Sequence, residues 1–332
     1  IAVAGDYTGL FYESAGAREE SSGLFSARVT SMGAYSAKFL GGPGRFSIAG
    51  QFALDGKATN ELSFQFNGGP RTLGLELDLA GGDRIFGRLS YGTSAVVLIA
   101  DRAVFNARTA PATAYAADYT LIIPGATNDP ARPGGESVMA LRIGANGRVS
   151  LKGTLAEGTP FKQTVPVSKS GMIPLYVPLY KGSGAILGWL RARPPGSNDL
   201  EGLVNWFKPG SSPPAPRGFV LAAMAEGSIY TPIGTNRLLN AARGSLSFSW
   251  GELDAFTNSV SFGPRGVVVN LGLNPLTLKL DPASGLFQGS VQLPNSTDQL
   301  RYKGALNTKR QIGGGFVIRP DAVGRVVLIG KQ

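Results

Sequence analysis

The chain of 332 residues carries 32 Lys and Arg against 22 Asp and Glu, a net charge of +10, with neither Cys nor His. Without cysteine there is no disulfide, zinc–thiolate site or thiol nucleophile, and without histidine the usual Ser–His triads and zinc or copper ligand sets are excluded. Its 47 Gly and 22 Pro, set against 43% hydrophobic and 16% charged residues, describe many short strands joined by tight turns. Charge is uneven: residues 1–112 hold 10 basic and 10 acidic groups, while 113–222 and 223–332 each hold 11 and 6. No Lys/Arg run has the form of a nucleic-acid tail, and no apolar run reaches the roughly 18 residues of a membrane helix. The chain begins at Ile1, so a processed or trimmed end is expected.

Residues 5–13 read as a first strand, followed by a polar loop at 14–22. Residues 23–30 and 34–39 flank Ser31, Met32 and Gly33, a hairpin signature. Phe46, Ile48, Phe52 and Leu54 continue at period two up to the turn pair Asp55-Gly56. Leu62, Phe64 and Phe66 alternate with polar residues, and Leu73, Leu75, Leu77 and Leu79 alternate with Thr72, Gly74, Glu76 and Asp78. Alternation of this kind marks an antiparallel strand with one buried face. Residues 85–89 and 95–100 complete the set, and the Ala-rich segment 107–117 reads as a connector with one helical turn.

The pattern then restarts. Asp118-Tyr119-Thr120 repeats Asp6-Tyr7-Thr8 at a spacing of 112, and a second long loop at 125–135 takes the place of 14–22. Residues 138–143 and 148–152 flank Ala145-Asn146-Gly147, where Asn-Gly predicts a type I′ turn. Strands follow at 161–167, 173–180, 185–190 and 203–207. The stretch 208–218, with Pro209, Pro213, Pro214 and Pro216, reads as a linker. Beyond it Tyr230-Thr231 restarts the pattern once more, 111 residues after Tyr119. This third unit contains what read as inserted strands at 245–249 and 267–271. It rejoins the pattern at 276–280 and 285–291, where Ser284-Gly285-Leu286-Phe287 repeats Ser22-Gly23-Leu24-Phe25. Residues 299–306, 315–318 and 325–329 close it.

An all-β chain of three internally similar antiparallel meander units is therefore expected, at 1–112, 113–218 and 219–332. A sheet of seven or eight strands must curl or split to protect its edges, so each unit is expected to form a small barrel or sandwich. The alternative is one large fused sheet or barrel.

Tyr119-Thr120, residues 146–150 and 153–159, residues 174–180 and Gly188-Trp189-Leu190 together form a pattern. It resembles β-strand-rich repeat modules found towards the C-termini of large exported bacterial proteins. The resemblance implies export and a surface or matrix role, and it implies no catalytic residues.

Four constellations are candidates for chemistry. Glu76/Asp78 and Glu252/Asp254 each lie two residues apart, about 6–7 Å along one strand face, within the range of acid/base carboxylate pairs. Solvent-facing acids on half-buried strands have the same appearance. Tyr176, Tyr180, Trp189, Trp206 and Trp250 could stack sugar rings with help from Arg191, although core packing uses the same residues. Tyr176 and Tyr180 share strand parity and are expected on one face. Loop oxygens at Asn128-Asp129, 198–201 and 295–298 could meet calcium, but none has EF-hand spacing and Asx turns favour the same residues. The Gly182-Ser183-Gly184 turn precedes a strand rather than a helix, so no helix dipole awaits a phosphate there. No metal or cofactor is expected.

The leading expectation is a non-enzymatic extracellular or cell-surface module for adhesion, glycan binding or matrix building, with acidic polysaccharide or the cell envelope as partner. Nucleic acid is not expected, and self-association is open. The alternatives are a carbohydrate-active enzyme using carboxylates and a filament or lattice subunit. An outer-membrane barrel is disfavoured because the strands are shorter than the roughly 9–11 residues a membrane requires.

Overall fold

The computed structural model describes residues 3–331 except 43, 63–70, 92–93, 127–128, 130, 194–198, 211–217, 251–254 and 321. The described residues form three eight-stranded antiparallel sheets and no α-helix. The first holds β1 (Gly5–Glu13), β2 (Gly23–Val29), β3 (Ala34–Gly41), β4 (Gly44–Gln51), β5 (Lys57–Leu62), β6 (Arg71–Leu77), β7 (Arg84–Tyr91) and β8 (Ser94–Arg102). The second holds β9 (Asp118–Ile123), β10 (Ser137–Ile143), β11 (Arg148–Thr154), β12 (Pro160–Pro166), β13 (Met172–Leu179), β14 (Gly184–Ala192), β15 (Leu200–Lys208) and β16 (Phe219–Ile229). The third holds β17 (Arg243–Ser249), β18 (Ala255–Phe262), β19 (Val268–Asn270), β20 (Leu276–Leu280), β21 (Leu286–Gln292), β22 (Gln299–Asn307), β23 (Ile312–Ile318) and β24 (Val323–Lys331).

In each sheet the first strand pairs with the last: β1 with β8, β9 with β16 and β17 with β24. A meander closed in this way rolls into a barrel and leaves a single unpaired seam, at β4/β5, β12/β13 and β19/β20. The three sheets are separate, so the chain is a triple barrel rather than one fused sheet.

Side-chain carboxamides bridge all three seams. Asn60 on β5 donates to Ala49 O on β4 at 3.1 Å, and Gln163 on β12 accepts from Tyr176 N on β13 at 3.1 Å. In the third barrel Asn258, Asn270 and Asn274 bond to one another. Asn258 Nδ2 reaches Asn274 O at 2.6 Å, and Asn274 Nδ2 reaches Asn258 Oδ1 at 3.0 Å. A carboxamide has the donor and acceptor of a peptide unit, so it satisfies the backbone groups that an open seam leaves without a ladder partner.

The expected hairpins form, with one tight turn used repeatedly. It spans 30–34, 53–57, 144–148, 155–159 and 168–172, each closed by a backbone bond from the first residue's N–H to the last residue's carbonyl. The fourth residue is always a left-handed glycine: Gly33, Gly56, Gly147, Gly158 or Gly171. Asn146 is not left-handed, so the expected type I′ turn is instead the three-residue kind in which glycine alone needs positive φ. Asn146 Oδ1 accepts from Arg148 N at 3.1 Å and supports the turn from its side chain.

Alternate residues fill each barrel, as with Phe25, Ala27 and Val29 on β2 and Leu73, Leu75 and Leu77 on β6. The middle barrel differs because it is covered on two sides. β10 and β14 are buried at almost every position. The outer residues of β13–β15, Tyr176, Ala185, Leu187 and Phe207, pack against Leu10, Leu24 and Leu40 of the first barrel. On its other side the middle barrel packs against Ala305, Phe316 and Val323 of the third. Gly314 permits that approach, since a Cβ there would lie 2.1 Å from Glu136 Oε2. Polar contacts lock the second junction: Thr120 Oγ1 donates to Leu306 O at 2.5 Å, Arg325 pairs with Glu136 at 2.7 Å and Lys309 with Asp199 at 2.9 Å. Burial at this junction raises the Glu136 carboxyl above its ordinary value, while Arg325 opposes the rise.

Three expectations about the third unit change. The Pro-rich stretch does not separate units, because β15 and β16 on either side of it pair along the whole of β15. The second sheet therefore runs to Ile229 and the third begins at Arg243. Tyr7 and Tyr119 are equivalent, each donating to the carbonyl four residues before it at 2.6 and 2.7 Å. Tyr230 lies between sheets and donates instead to Pro282 O, so it does not open the third meander. The strands read as insertions are β17 and β19, two of the ordinary eight.

Candidate functional site

The structure divides the aromatic candidates into three places. On β13 and β14, Tyr176, Trp189 and Arg191 point outwards. Tyr176 is buried against the first barrel, which pushes its hydroxyl up to about 12 through burial and the nearby charge of Glu19. Trp189 is half-buried at the edge of that contact and Arg191 is exposed beyond it. Tyr180 does not share the face of Tyr176. It and Lys181 are left-handed, with φ of 51° and 59°, and this breaks the strand alternation.

Tyr180 turns to the end of the middle barrel and meets Trp206, which is 1% exposed and donates its Nε1 proton to the Tyr180 hydroxyl at 3.0 Å. That hydroxyl donates to Glu157 Oε1 at 2.5 Å, and Glu157 also pairs with Lys208. Burial first, and the Glu157 carboxylate second, drive the Tyr180 hydroxyl far above its ordinary range. Trp250, in the third barrel, lies under the Arg319 guanidinium at 3.8 Å. Buried rings such as Tyr176 and Trp206 present no face on which a sugar could stack.

The carboxylates do not converge either. Glu76 is exposed opposite Lys57, and Asp78 accepts from Ala80 N at 2.8 Å as a turn former. Glu252 and Asp254 lie outside the described residues. Of the loop oxygens proposed for calcium, Asp129 pairs with Arg132, Asp199 with Lys309 and Glu201 with Arg193. Among the described residues no group of three or more acidic side chains could hold a metal ion.

A different site emerges on the outer face of the third barrel. Strand pairing brings Lys279, Gln288 and Lys303 into one row across β20, β21 and β22, and Thr277, Ser290 and Arg301 into the next. These outward positions contain three cations and no carboxylate. No acidic side chain pairs with any of the three cations among the described residues. Thr277 Oγ1 and Ser290 Oγ lie 3.0 Å apart, and Lys303 Nζ reaches Thr154 Oγ1 of the middle barrel at 3.4 Å.

The rows continue into Phe316 and Ile318 on β23, which the middle barrel covers. The glycine turn 155–159 forms the wall there, with Gly158 against Ile318. The result is a groove of about 630 Å³ lined by Thr277, Lys279, Ser290, Arg301 and Lys303. A second hollow of about 360 Å³ shares Lys279, Gln288 and Lys303 and adds Leu280, Pro282 and Leu286. Asp281 also lines that hollow, where its carboxylate accepts from Ser284 Oγ at 2.5 Å and lies 3.6 Å from Lys152 Nζ. Fixed positive charge in a walled groove attracts and holds anions. Nothing in the sequence singles out Lys279, Arg301 and Lys303, because only strand pairing brings Lys279 to the other two.

The fold is that of a triple β-barrel protein. No family model matches the chain, and no curated protein matches it. Among solved structures, a Bacteroides fragilis protein provisionally named as an outer membrane protein is 12% identical, with a TM-score of 0.23, over 68% of this chain and 98% of that one. An endo-1,5-α-L-arabinanase from Thermotoga petrophila is 10% identical, with a TM-score of 0.21, over 93% of this chain and 81% of that one. Overlaps this weak carry no argument about fold or function.

Proposed function

We propose that the chain is a non-enzymatic binding module of an exported protein and that it holds acidic polysaccharide in the groove on β20–β22. The observation that carries this reading is the convergence of Lys279, Arg301 and Lys303, none paired with a carboxylate among the described residues, on a walled groove of glycan-sized volume. Thr277, Ser290 and Gln288 add the neutral donors and acceptors that sugar hydroxyls require. Among the described residues its lining offers cations and hydroxyls and no carboxylate to act as acid or base, which favours holding a ligand over cleaving it. Placement outside the cell follows from the resemblance of residues 119–190 to modules of exported bacterial proteins.

The test is equilibrium binding of the full chain to acidic and neutral polysaccharides over a salt series. Binding to the acidic polymers that weakens as salt rises supports the reading, since exposed charges are screened within about 10 Å at 0.1 M. Equal affinity for neutral dextran, or no binding to any acidic glycan, removes it.

A further inference from the structure

The row geometry also specifies how charge must be spaced along the ligand. Resting on the acidic-polysaccharide reading above, we propose that the groove selects glycans charged on alternate sugars over glycans charged on every sugar. Lys279 and Lys303 occupy the same cross-strand row with Gln288 between them. Adjacent strands lie about 4.8 Å apart, so the two lysines project from backbone positions about 10 Å apart. That separation is close to the length of one disaccharide in an extended glycan.

A chain lying across the strands therefore meets a cation, a neutral amide and a second cation in turn. Gln288 offers one donor group and one acceptor, suited to a hydroxyl or an acetamido group. A carboxylate at that position loses part of its hydration without gaining a counter-charge. Arg301 supplies a third positive charge two residues from Lys303 on the same strand, at about 7 Å, where a substituent of the second charged sugar would reach. The hydroxyl pair of Thr277 and Ser290 lies beside Gln288 and reinforces the neutral middle of the site. The middle barrel blocks the far end of both rows at Phe316 and Ile318, which limits the matched segment to about a disaccharide.

The experiment compares three polymers of matched length on the full chain by calorimetry. Hyaluronan carries its carboxylates on alternate sugars, polygalacturonate carries one on each sugar, and dextran is neutral. Hyaluronan is expected to bind about fivefold more tightly per disaccharide than polygalacturonate. Lys279→Gln and Lys303→Gln are each expected to weaken hyaluronan binding by about fivefold, the upper range for an exposed ion pair. Lys57→Gln on the first barrel is expected to change nothing, and circular dichroism of each variant checks folding.

Equal or tighter binding of polygalacturonate overturns the spacing inference while leaving the acidic-glycan reading intact. Hyaluronan binding that survives Lys279→Gln and Lys303→Gln together overturns the assignment of the row. Absence of salt-sensitive binding to either charged polymer overturns both this inference and the reading on which it rests.

Discussion

Lys208 Nζ lies 2.9 Å from Glu157 Oε2 inside the end of the middle barrel, and both side chains are only 4% exposed. Lys208 is at an inward position of β15, after Val204 and Trp206, so the barrel brings a full charge into its own interior. Glu157 compensates it, while Thr159 and Tyr180 each donate to Glu157 Oε1 at 2.5 Å. The ammonium also lies 4.7 Å from the centre of the Tyr180 ring. Replacing one partner leaves the other charge buried alone, and Glu157→Gln is expected to cost about 3–5 kcal/mol. Adding Lys208→Met to that variant removes the stranded charge and is expected to recover much of the loss. Urea midpoints across the double-mutant cycle measure this, and strictly additive costs would show that the pair is not coupled.

The seam amides differ in burial and so should differ in importance. Asn258 is fully buried, and Asn258→Leu leaves Asn274 O and the amides of Asn270 and Asn274 short of partners. A cost of about 1–3 kcal/mol per orphaned group is expected, with faster hydrogen exchange around β19 and β20. Asn60→Leu, at a more accessible seam, is expected to cost about 1 kcal/mol, because water can replace the bond to Ala49 O although the Tyr35 hydroxyl loses its acceptor. The reverse ranking would mean that the carboxamides do not hold the seams closed.

The bond between Asp199 and Lys309 links the second and third barrels asymmetrically. Asp199 is 1% exposed and also accepts from Ile229 N at 2.9 Å, whereas the Lys309 side chain is 40% exposed. Lys309→Met removes a counter-charge from a buried carboxylate and is expected to cost about 3–5 kcal/mol. Asp199→Asn leaves an ammonium that water can reach and is expected to cost about 1–3 kcal/mol. Thermal unfolding of the two variants gives the order; a costlier Asp199→Asn would contradict it.

The barrels also predict alkaline behaviour. Burial pushes the hydroxyls of Tyr7, Tyr119, Tyr176 and Tyr230 from 10.0 up to about 12. A raised folded-state value means that the native protein holds these protons more tightly than the unfolded chain does. Their contribution to stability is therefore complete below pH 10 and is lost as pH rises towards 12. Absorbance titration is expected to show these tyrosines ionising late, together with loss of the β-sheet circular dichroism. Ionisation of all ten tyrosines near pH 10 with the fold intact would contradict their burial.

Strand periodicity in the first barrel reports burial directly. Leu73, Leu75 and Leu77 alternate with polar residues because one face of β6 meets a core and the other meets water. The left-handed glycines of the repeated turn are equally local, since only glycine adopts that conformation without steric cost. The middle unit departs from strict alternation for a less local reason. Its β10 and β14 are apolar on both faces because a barrel packs on each side. β16 and β18 show no clear alternation in sequence, because the small residues of β16 between Phe219 and Ile229, and the Thr, Asn and Ser of β18, blur the contrast between faces.

The sequence by itself determined an all-β chain of repeated meanders, the positions of most hairpins, and the absence of thiol and imidazole chemistry. Each of these depends on neighbours within a few residues, or on composition alone. Only the tertiary structure decided where the units divide, which aromatics are buried, and where cations gather. Tyr180 left the face of Tyr176 because two left-handed residues intervene, and proline-rich sequence proved compatible with a connection between paired strands. Lys279 and Lys303 are 24 positions apart in the chain and become row partners only through pairing with β21. Strand register, a property of hydrogen bonds between distant segments, sets that row, and the packing of the middle barrel on the third turns it into a groove.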